Sequence, residues 1–295
     1  MKSDAALPGD DRILPYSRVI SAIIIPFLLA AFILLYLFPA NTAQTFAWTI
    51  KPTMTPMVLA SAYLGGAYFF TRVLLVEKRW HAVKIGFLAV ALFATILGIA
   101  TILHWDRFNH SHVTFWTWAA LYFTTPFLIM GAWLANRGRE APQLPRDRML
   151  GPVVRRVIVL TGLLAMLTGL SMLLAPAVVI PIWPWALTPL TCRVVGAVLA
   201  LGSAGFWVLN DSRWTTFKLM LQVEMLMIVL ILIAAARARS EFDPGRPLTW
   251  LFGAGMVAVL FGSARLYFVM ERRPLRRPTA VNGLGGPPAG SGNPA

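Results

Sequence analysis

Residues 19–38, VISAIIIPFLLAAFILLYLF, form an uncharged apolar stretch that decides the class of fold. Arg18 precedes the stretch and Pro39 follows it. A helix rises about 1.5 Å per residue, so about 20 apolar residues cross the ~30 Å hydrocarbon core of a bilayer. The stretch is too long for the core of a secretory signal peptide, and no small-residue cleavage site follows it. We therefore predict a retained transmembrane helix over residues 19–39.

Seven more apolar stretches follow along the chain, which is 295 residues long, 58% hydrophobic and 13% charged. Soluble domains usually carry about 25% charged residues, so the composition favours a lipid environment. Apolar and polar residues do not alternate strictly, and an open sheet edge would leave backbone groups unsatisfied in lipid. The sequence therefore predicts an all-α membrane protein of eight transmembrane helices. The further predicted spans are 54–76, 82–104, 113–135, 155–175, 191–210, 215–236 and 248–270.

The net charge of +14 is carried mostly at the ends of the apolar stretches. This distribution sets membrane orientation and argues against a nucleic-acid partner. With a cytoplasmic N-terminus, most lysines and arginines lie inside, including Arg137, Arg139 and the basic cluster in 272–277. We therefore expect both termini in the cytoplasm. The single cysteine, Cys192, excludes an intrachain disulfide and a cysteine metal cage.

The two halves of the sequence match each other in order, which indicates an internal repeat. A unit of four helices begins and ends on the same side of the membrane, so two tandem units are parallel. They would be related by an axis near the membrane normal. The matching pairs are Arg18 with Arg155, Pro39 with Pro176, Trp48 with Trp185, Pro52 with Pro189, Arg79-Trp80 with Arg213-Trp214, Lys84 with Lys218, Phe108 with Phe242, and Trp116 with Trp250.

The predicted organisation has five segments. Residues 1–16 form a cytoplasmic tail, 17–136 the first four-helix repeat and 153–273 the second. Residues 137–152 are polar and contain proline, as expected for a cytoplasmic linker. Residues 274–295 are rich in proline and glycine and are expected to be a disordered cytoplasmic tail.

Four residues are predicted to shape the second and sixth helices. Pro52 and Pro189 can begin these helices, because the first helical turn does not need a proline N–H. Gly65 and Gly202 lie among alanines, and such small residues let transmembrane helices approach closely. We therefore expect the second and sixth helices to be central in the bundle.

Three of the four histidines fall in one short loop on the predicted outer side. Imidazole binds zinc, copper, iron or nickel, and a carboxylate can complete such a site. His104, Asp106, His110 and His112 therefore form a candidate divalent-metal site. The alternative is that these histidines are neutral interfacial residues in a loop close to the membrane.

Polar groups within the predicted spans are the second candidate site. Glu224 and Gln222 lie in the seventh helix and Arg265 in the eighth. Ionisable residues within the bilayer are costly and are functional candidates by default. Counting residues from the cytoplasmic side places Glu224 and Arg265 at similar depth, so we predict that they are neighbours facing the protein interior. The alternative is a buried ion pair that only fixes helix packing.

No Walker A, His-Glu-x-x-His or Gly-x-Ser-x-Gly motif is present in the sequence, so soluble-type enzymatic activity is not expected. The pattern Trp-x-x-x-Pro before a small-residue helix, and the run Leu103-His-Trp-Asp-Arg-Phe108, resemble a group of uncharacterised bacterial multi-pass membrane proteins. The resemblance implies a bacterial plasma membrane and no particular activity.

Three functions fit the sequence. A transporter or permease of a small solute or lipid fits parallel repeats with charges in one unit. A membrane scaffold or partner-binding subunit, either a homo-oligomer or bound to another membrane protein, fits the low polarity of the spans. A metal-dependent membrane enzyme would use the histidine loop. The partner that the sequence predicts is the lipid bilayer, and it indicates no particular substrate.

Overall fold

Eight long helices make up the computed structural model, which describes residues 10–139, 141–143 and 147–272. All eight are long and apolar enough to cross a membrane, and the described residues contain no β-strand. The helices are α1 (Pro15–Leu37), α2 (Met54–Val76), α3 (Lys84–Leu103), α4 (Val113–Asn136), α5 (Pro152–Leu174), α6 (Pro189–Leu209), α7 (Trp214–Arg237) and α8 (Pro247–Arg272).

The helices confirm the eight predicted spans and extend most of them by a few residues at one or both ends. The predicted tail 274–295 and most of the tail 1–16 lie outside the described residues. Short helical turns link α1 to α2 at Pro39–Asn41 and Thr42–Thr45. Similar turns link α5 to α6 at Pro176–Val179 and Ile180–Ile182.

The two prolines predicted to begin helices differ in position. Pro189 is in the first turn of α6, where the Thr188 hydroxyl accepts a hydrogen bond from the Thr191 N–H (3.2 Å) and caps the helix. Pro52, in contrast, lies before α2, which begins at Met54. The predicted span 54–76 matches α2, but the predicted role of Pro52 as its first residue is wrong, because a carboxylate from a distant loop, described below, bonds the first N–H groups of this helix.

Four helices form the inner part of the bundle and four lie outside them. The inner helix α2 packs against α7, and α3 packs against α6. On the outside, α1 packs on α2, α4 on α3, α5 on α6 and α8 on α7. Burial follows this order, since 67% of the apolar segment of α3 is buried but only 6% of that of α8.

Glycine backbones let α5 and α6 cross closely. A Cβ built on Gly169 would lie 2.6 Å from the Gly196 carbonyl oxygen, and one built on Gly162 would lie 2.7 Å from that of Gly202. No side chain fits at such distances, so glycine is required for the two backbones to cross here. Gly65 faces a different neighbour, because its Cβ would lie 2.8 Å from Met227 Cγ on α7.

Backbone hydrogen bonds tie the loops together at the end of the bundle where α1 begins, which we call the terminal end. The Trp80 N–H donates to the Asp11 carbonyl (2.8 Å), and the Trp214 N–H donates to the Arg148 carbonyl (2.7 Å). Both bonds connect the segment before the first helix of a half to the loop before its third helix.

Aromatic clusters close the opposite end, which we call the distal end. Trp48 contacts Phe108 edge-on with ring centroids 5.0 Å apart, and Trp185 contacts Phe242 in the same way at 5.4 Å. Next to each contact a backbone N–H, that of Asn109 or Asp243, donates to the carbonyl of the residue before the tryptophan. These rings and bonds hold the distal loops against the helices.

Candidate functional site

Glu224 and Arg265 do not form the predicted pair. The Glu224 carboxylate accepts a hydrogen bond from the Ser263 hydroxyl at 3.5 Å, whereas Arg265 is exposed on the outer side of α8. No ion pair joins them among the residues that the structure describes. Two residues along a helix correspond to a rotation of about 200°, so Ser263 and Arg265 face opposite ways. The prediction had the right helices but the wrong face of α8.

Gln222 belongs to a separate polar group near the terminal end. Its side-chain oxygen accepts from the Tyr68 hydroxyl (3.2 Å) and from Arg72 Nη1 (3.0 Å), and its amide donates to the Tyr267 hydroxyl (3.2 Å). Arg72 also pairs with Glu77. The group therefore connects α2, α7 and α8 through uncharged donors and one neutralised arginine.

A cavity of about 1180 Å³ lies within the bundle, and its lining residues come from all eight helices. The lining is mostly apolar. Glu224 is the one carboxylate among the described lining residues, and no lysine, arginine or histidine joins it. Two tyrosines of the first half, Tyr63 and Tyr122, also line the cavity, and their hydroxyl oxygens lie 2.8 Å apart.

The cavity reaches the lipid-facing surface. Several lining residues are also strongly exposed, among them Val153 and Leu164 on α5 and Leu251 on α8. The main packing of α5 is against α6 and that of α8 is against α7, and both α5 and α8 contribute exposed side chains to the cavity lining.

The loop histidines point to different partners. Arg193 Nη1 lies 2.6 Å from His104 Nε2, and His112 Nδ1 lies 2.6 Å from the Thr114 hydroxyl oxygen. The His110 ring packs edge-on against Phe115. Burial lowers the pKa of His104, and the positive charge of Arg193 lowers it further.

These contacts leave the predicted metal site without structural support. In the described part of the chain, no group of three or more His, Cys, Asp or Glu side chains is placed to hold a metal ion. Asp106 is exposed, and the guanidinium beside His104 would repel a second cation. The metal site of His104, Asp106, His110 and His112 stays a prediction from sequence.

A buried charge cluster joins the two halves of the chain at the terminal end. Asp211 accepts hydrogen bonds from Arg213 Nη2 (2.6 Å) and from the Thr216 hydroxyl (3.0 Å), and its carboxylate lies 3.1 Å from Lys84 Nζ. Burial alone would raise the pKa of Asp211. The bonds from Arg213 and the charge of Lys84 outweigh burial and hold this pKa well below its usual range.

Two further contacts between the halves were not predicted. His81 is paired with Asp11, and its Nε2 lies 3.2 Å from the Thr215 hydroxyl oxygen at the start of α7. At the distal end the Glu241 carboxylate accepts hydrogen bonds from the N–H groups of Thr53 (2.8 Å) and Met54 (2.7 Å). A carboxylate at a helix N-terminus is favourable because it accepts hydrogen bonds from the free N–H groups and is attracted to the positive end of the helix dipole.

The eight apolar helices place the chain in the class of multi-pass membrane proteins. Comparison with known proteins takes the assignment no further. No family model matches the chain, and neither a curated protein nor a solved structure matches it.

Proposed function

We propose that this protein binds a lipid-soluble molecule inside the bundle and moves it across the membrane, as a permease for a small lipid-like solute. The observation that carries the proposal is the mostly apolar cavity of about 1180 Å³, whose lining includes strongly exposed side chains of α5 and α8. Sites for drug-sized ligands are usually about 300–1,000 Å³ and mostly apolar, with a few polar groups that orient the ligand. Glu224 with Ser263, and Tyr63 with Tyr122, are such groups.

Two parallel four-helix repeats are part of this proposal. If each helix is replaced by its counterpart in the other half, the pair α2–α7 becomes the pair α6–α3. Both pairs pack together in the structure. The paired backbone bonds also match, since Trp80 to Asp11 corresponds to Trp214 to Arg148. Transporters built from repeats commonly bind substrate between the repeats near the bilayer midplane. A cavity lined by both halves fits that arrangement.

We propose that the terminal end lies in the cytoplasm, because most lysines and arginines flank the spans on that side. In the variant Gln143→Cys, we expect a membrane-impermeant thiol reagent to label the protein only after cell lysis. In Asp106→Cys we expect labelling in intact cells. Cys192 is buried and is the natural background for both variants. Labelling of residue 143 in intact cells would contradict this orientation.

Photolabelling in nanodiscs tests the binding function. We expect a long-chain alcohol that carries a diazirine to label cavity residues such as Met227 and Met256. Gly255→Phe fills the cavity from α8, where nothing lies within 4 Å of a built Cβ, and should lower this labelling several-fold. Gly253→Phe is the matched control, because Gly253 has equally open surroundings but does not line the cavity.

Equal labelling of both variants, or labelling confined to lipid-facing residues such as Phe127 and Phe261, would contradict the proposal. In that case a scaffold or partner-binding role would be favoured. The observation for that second function is α8, which exposes Trp250, Leu251 and Phe261 along a helix that is hardly buried. Such a surface can pack against a second copy or another membrane protein.

A further inference from the structure

We propose that the cavity selects a lipid-soluble cation, an amphiphile whose amine or quaternary ammonium group binds the Glu224 carboxylate. The proposal rests on the proposed function and specifies the substrate class of the same cavity. It follows from the position of a single acidic group in a mostly apolar and otherwise uncharged lining, as far as the structure describes it, with no cation of the protein beside that group.

Glu224 has a weak partner in the protein. The Ser263 hydroxyl donates at 3.5 Å, which is at the outer limit of a hydrogen bond. Arg265 is exposed on the other side of α8, and Arg72 is already held by Glu77 and Gln222. The carboxylate can therefore accept one or more hydrogen bonds from a ligand, and a positive charge on that ligand would compensate its own.

The depth of Glu224 fits a ligand that has left the membrane surface. α7 begins at Trp214, so Glu224 lies about 15 Å along the helix axis, at 1.5 Å per residue, which is close to the bilayer midplane. Ionisable groups at this depth commonly mark substrate or ion pathways.

The surrounding side chains would hold the apolar part of such a ligand. Phe217 lies two helical turns before Glu224 on α7, and Phe252 and Met256 lie on the α8 face that carries Ser263. Residues spaced by three, four or seven positions share one face of a helix. A tail that starts at Glu224 can therefore follow Met256 and Phe252 toward the opening at Leu251. Aromatic faces also attract a cation directly.

Tetraphenylphosphonium tests the proposal, because it is lipid-soluble and its charge does not depend on pH. Its binding to the full chain in nanodiscs of zwitterionic phosphatidylcholine would be measured with tritiated ligand, with uncharged tetraphenylmethane as competitor. We expect Glu224→Gln to weaken binding of the cation at least about tenfold and to leave the competitor unchanged, because only the charged pair is lost.

Four variants complete the experiment. Asp106→Asn removes an exposed carboxylate that does not line the cavity and should bind the cation as the wild type does, as should Arg265→Gln. Ser263→Ala should weaken binding less than Glu224→Gln, because the carboxylate stays. Glu224→Asp keeps the charge, so it should retain more binding than Glu224→Gln, even if the glutamine variant folds poorly.

The outcomes separate the two proposals. Equal affinity of the wild type and Glu224→Gln for the cation would overturn the substrate class and leave the cavity as a binding site. Binding of tetraphenylmethane without tetraphenylphosphonium would do the same. Failure of both compounds to bind the wild type would overturn the proposed function together with this inference.

Discussion

Gly169→Ala is expected to destabilise the protein strongly, although alanine is the better helix former. The new Cβ would lie 2.6 Å from the Gly196 carbonyl oxygen and 3.1 Å from the Ala200 nitrogen. Both are backbone atoms, so the strain cannot be relieved by rotating a side chain. Overpacking of this kind costs about 1–3 kcal/mol and occasionally more, which outweighs the gain of about 1 kcal/mol in helix propensity.

Thermal unfolding in detergent measures this effect, with Gly253→Ala as the matched control. Gly253 is also in a transmembrane helix, but nothing lies within 4 Å of a Cβ built there. The control variant should be as stable as the wild type or slightly more stable. If Gly169→Ala and Gly253→Ala unfold at the same temperature, α5 and α6 do not cross as closely as described.

Asp211→Asn is expected to cost about 3–5 kcal/mol, the usual loss when one partner of a buried ion pair is removed. The substitution removes the carboxylate that Arg213 and Lys84 share, and both cations are buried. Asp10→Asn is the control, because Asp10 pairs with Arg12 at 3.5 Å on the surface, where such pairs contribute about 0–1 kcal/mol. Equal unfolding temperatures of the two variants would exclude a structural role for the cluster.

The contribution of Asp211 to stability should depend on pH. The pKa of Asp211 is held well below its usual range in the folded protein, so its contribution is complete above an unfolded pKa of about 3.9. The contribution is lost as pH falls below that value toward the folded pKa. The difference in unfolding temperature between the wild type and Asp211→Asn should therefore be constant at neutral pH and shrink in acid.

The spans could be predicted from sequence because a bilayer imposes one strong rule, the length of an apolar helix. Residues 19–39 were predicted and Pro15–Leu37 was found, and the other spans agree to a similar extent. The start of α6 could also be predicted, because Pro189 suits a first helical turn and follows threonine, a common N-cap residue. The limits of α2 match its predicted span, but its capping group, Glu241, could not be predicted because it comes from a loop far along the chain.

The candidate site was less predictable, for a physical reason. Residue counting gives the depth of Glu224 and Arg265 in the membrane, but the rotation of each helix about its axis depends on packing. The packing of α8 on α7 turns Ser263 toward Glu224, and Arg265, about 200° further round the same helix, is then on the outer side. In the same way, three histidines close in sequence had different partners, because the loop turns between them.

The shallow seating of α8 has a consequence for how the chain is assembled during synthesis. Only 6% of its apolar segment is buried, and its main packing is against α7. The glycine crossing of α5 with α6 and the cluster around Asp211 both form without it. Once α7 has left the ribosome, the chain can therefore already form both of these contacts. We expect α8 to join the bundle last and to complete the lining of a cavity to which the seven earlier helices also contribute.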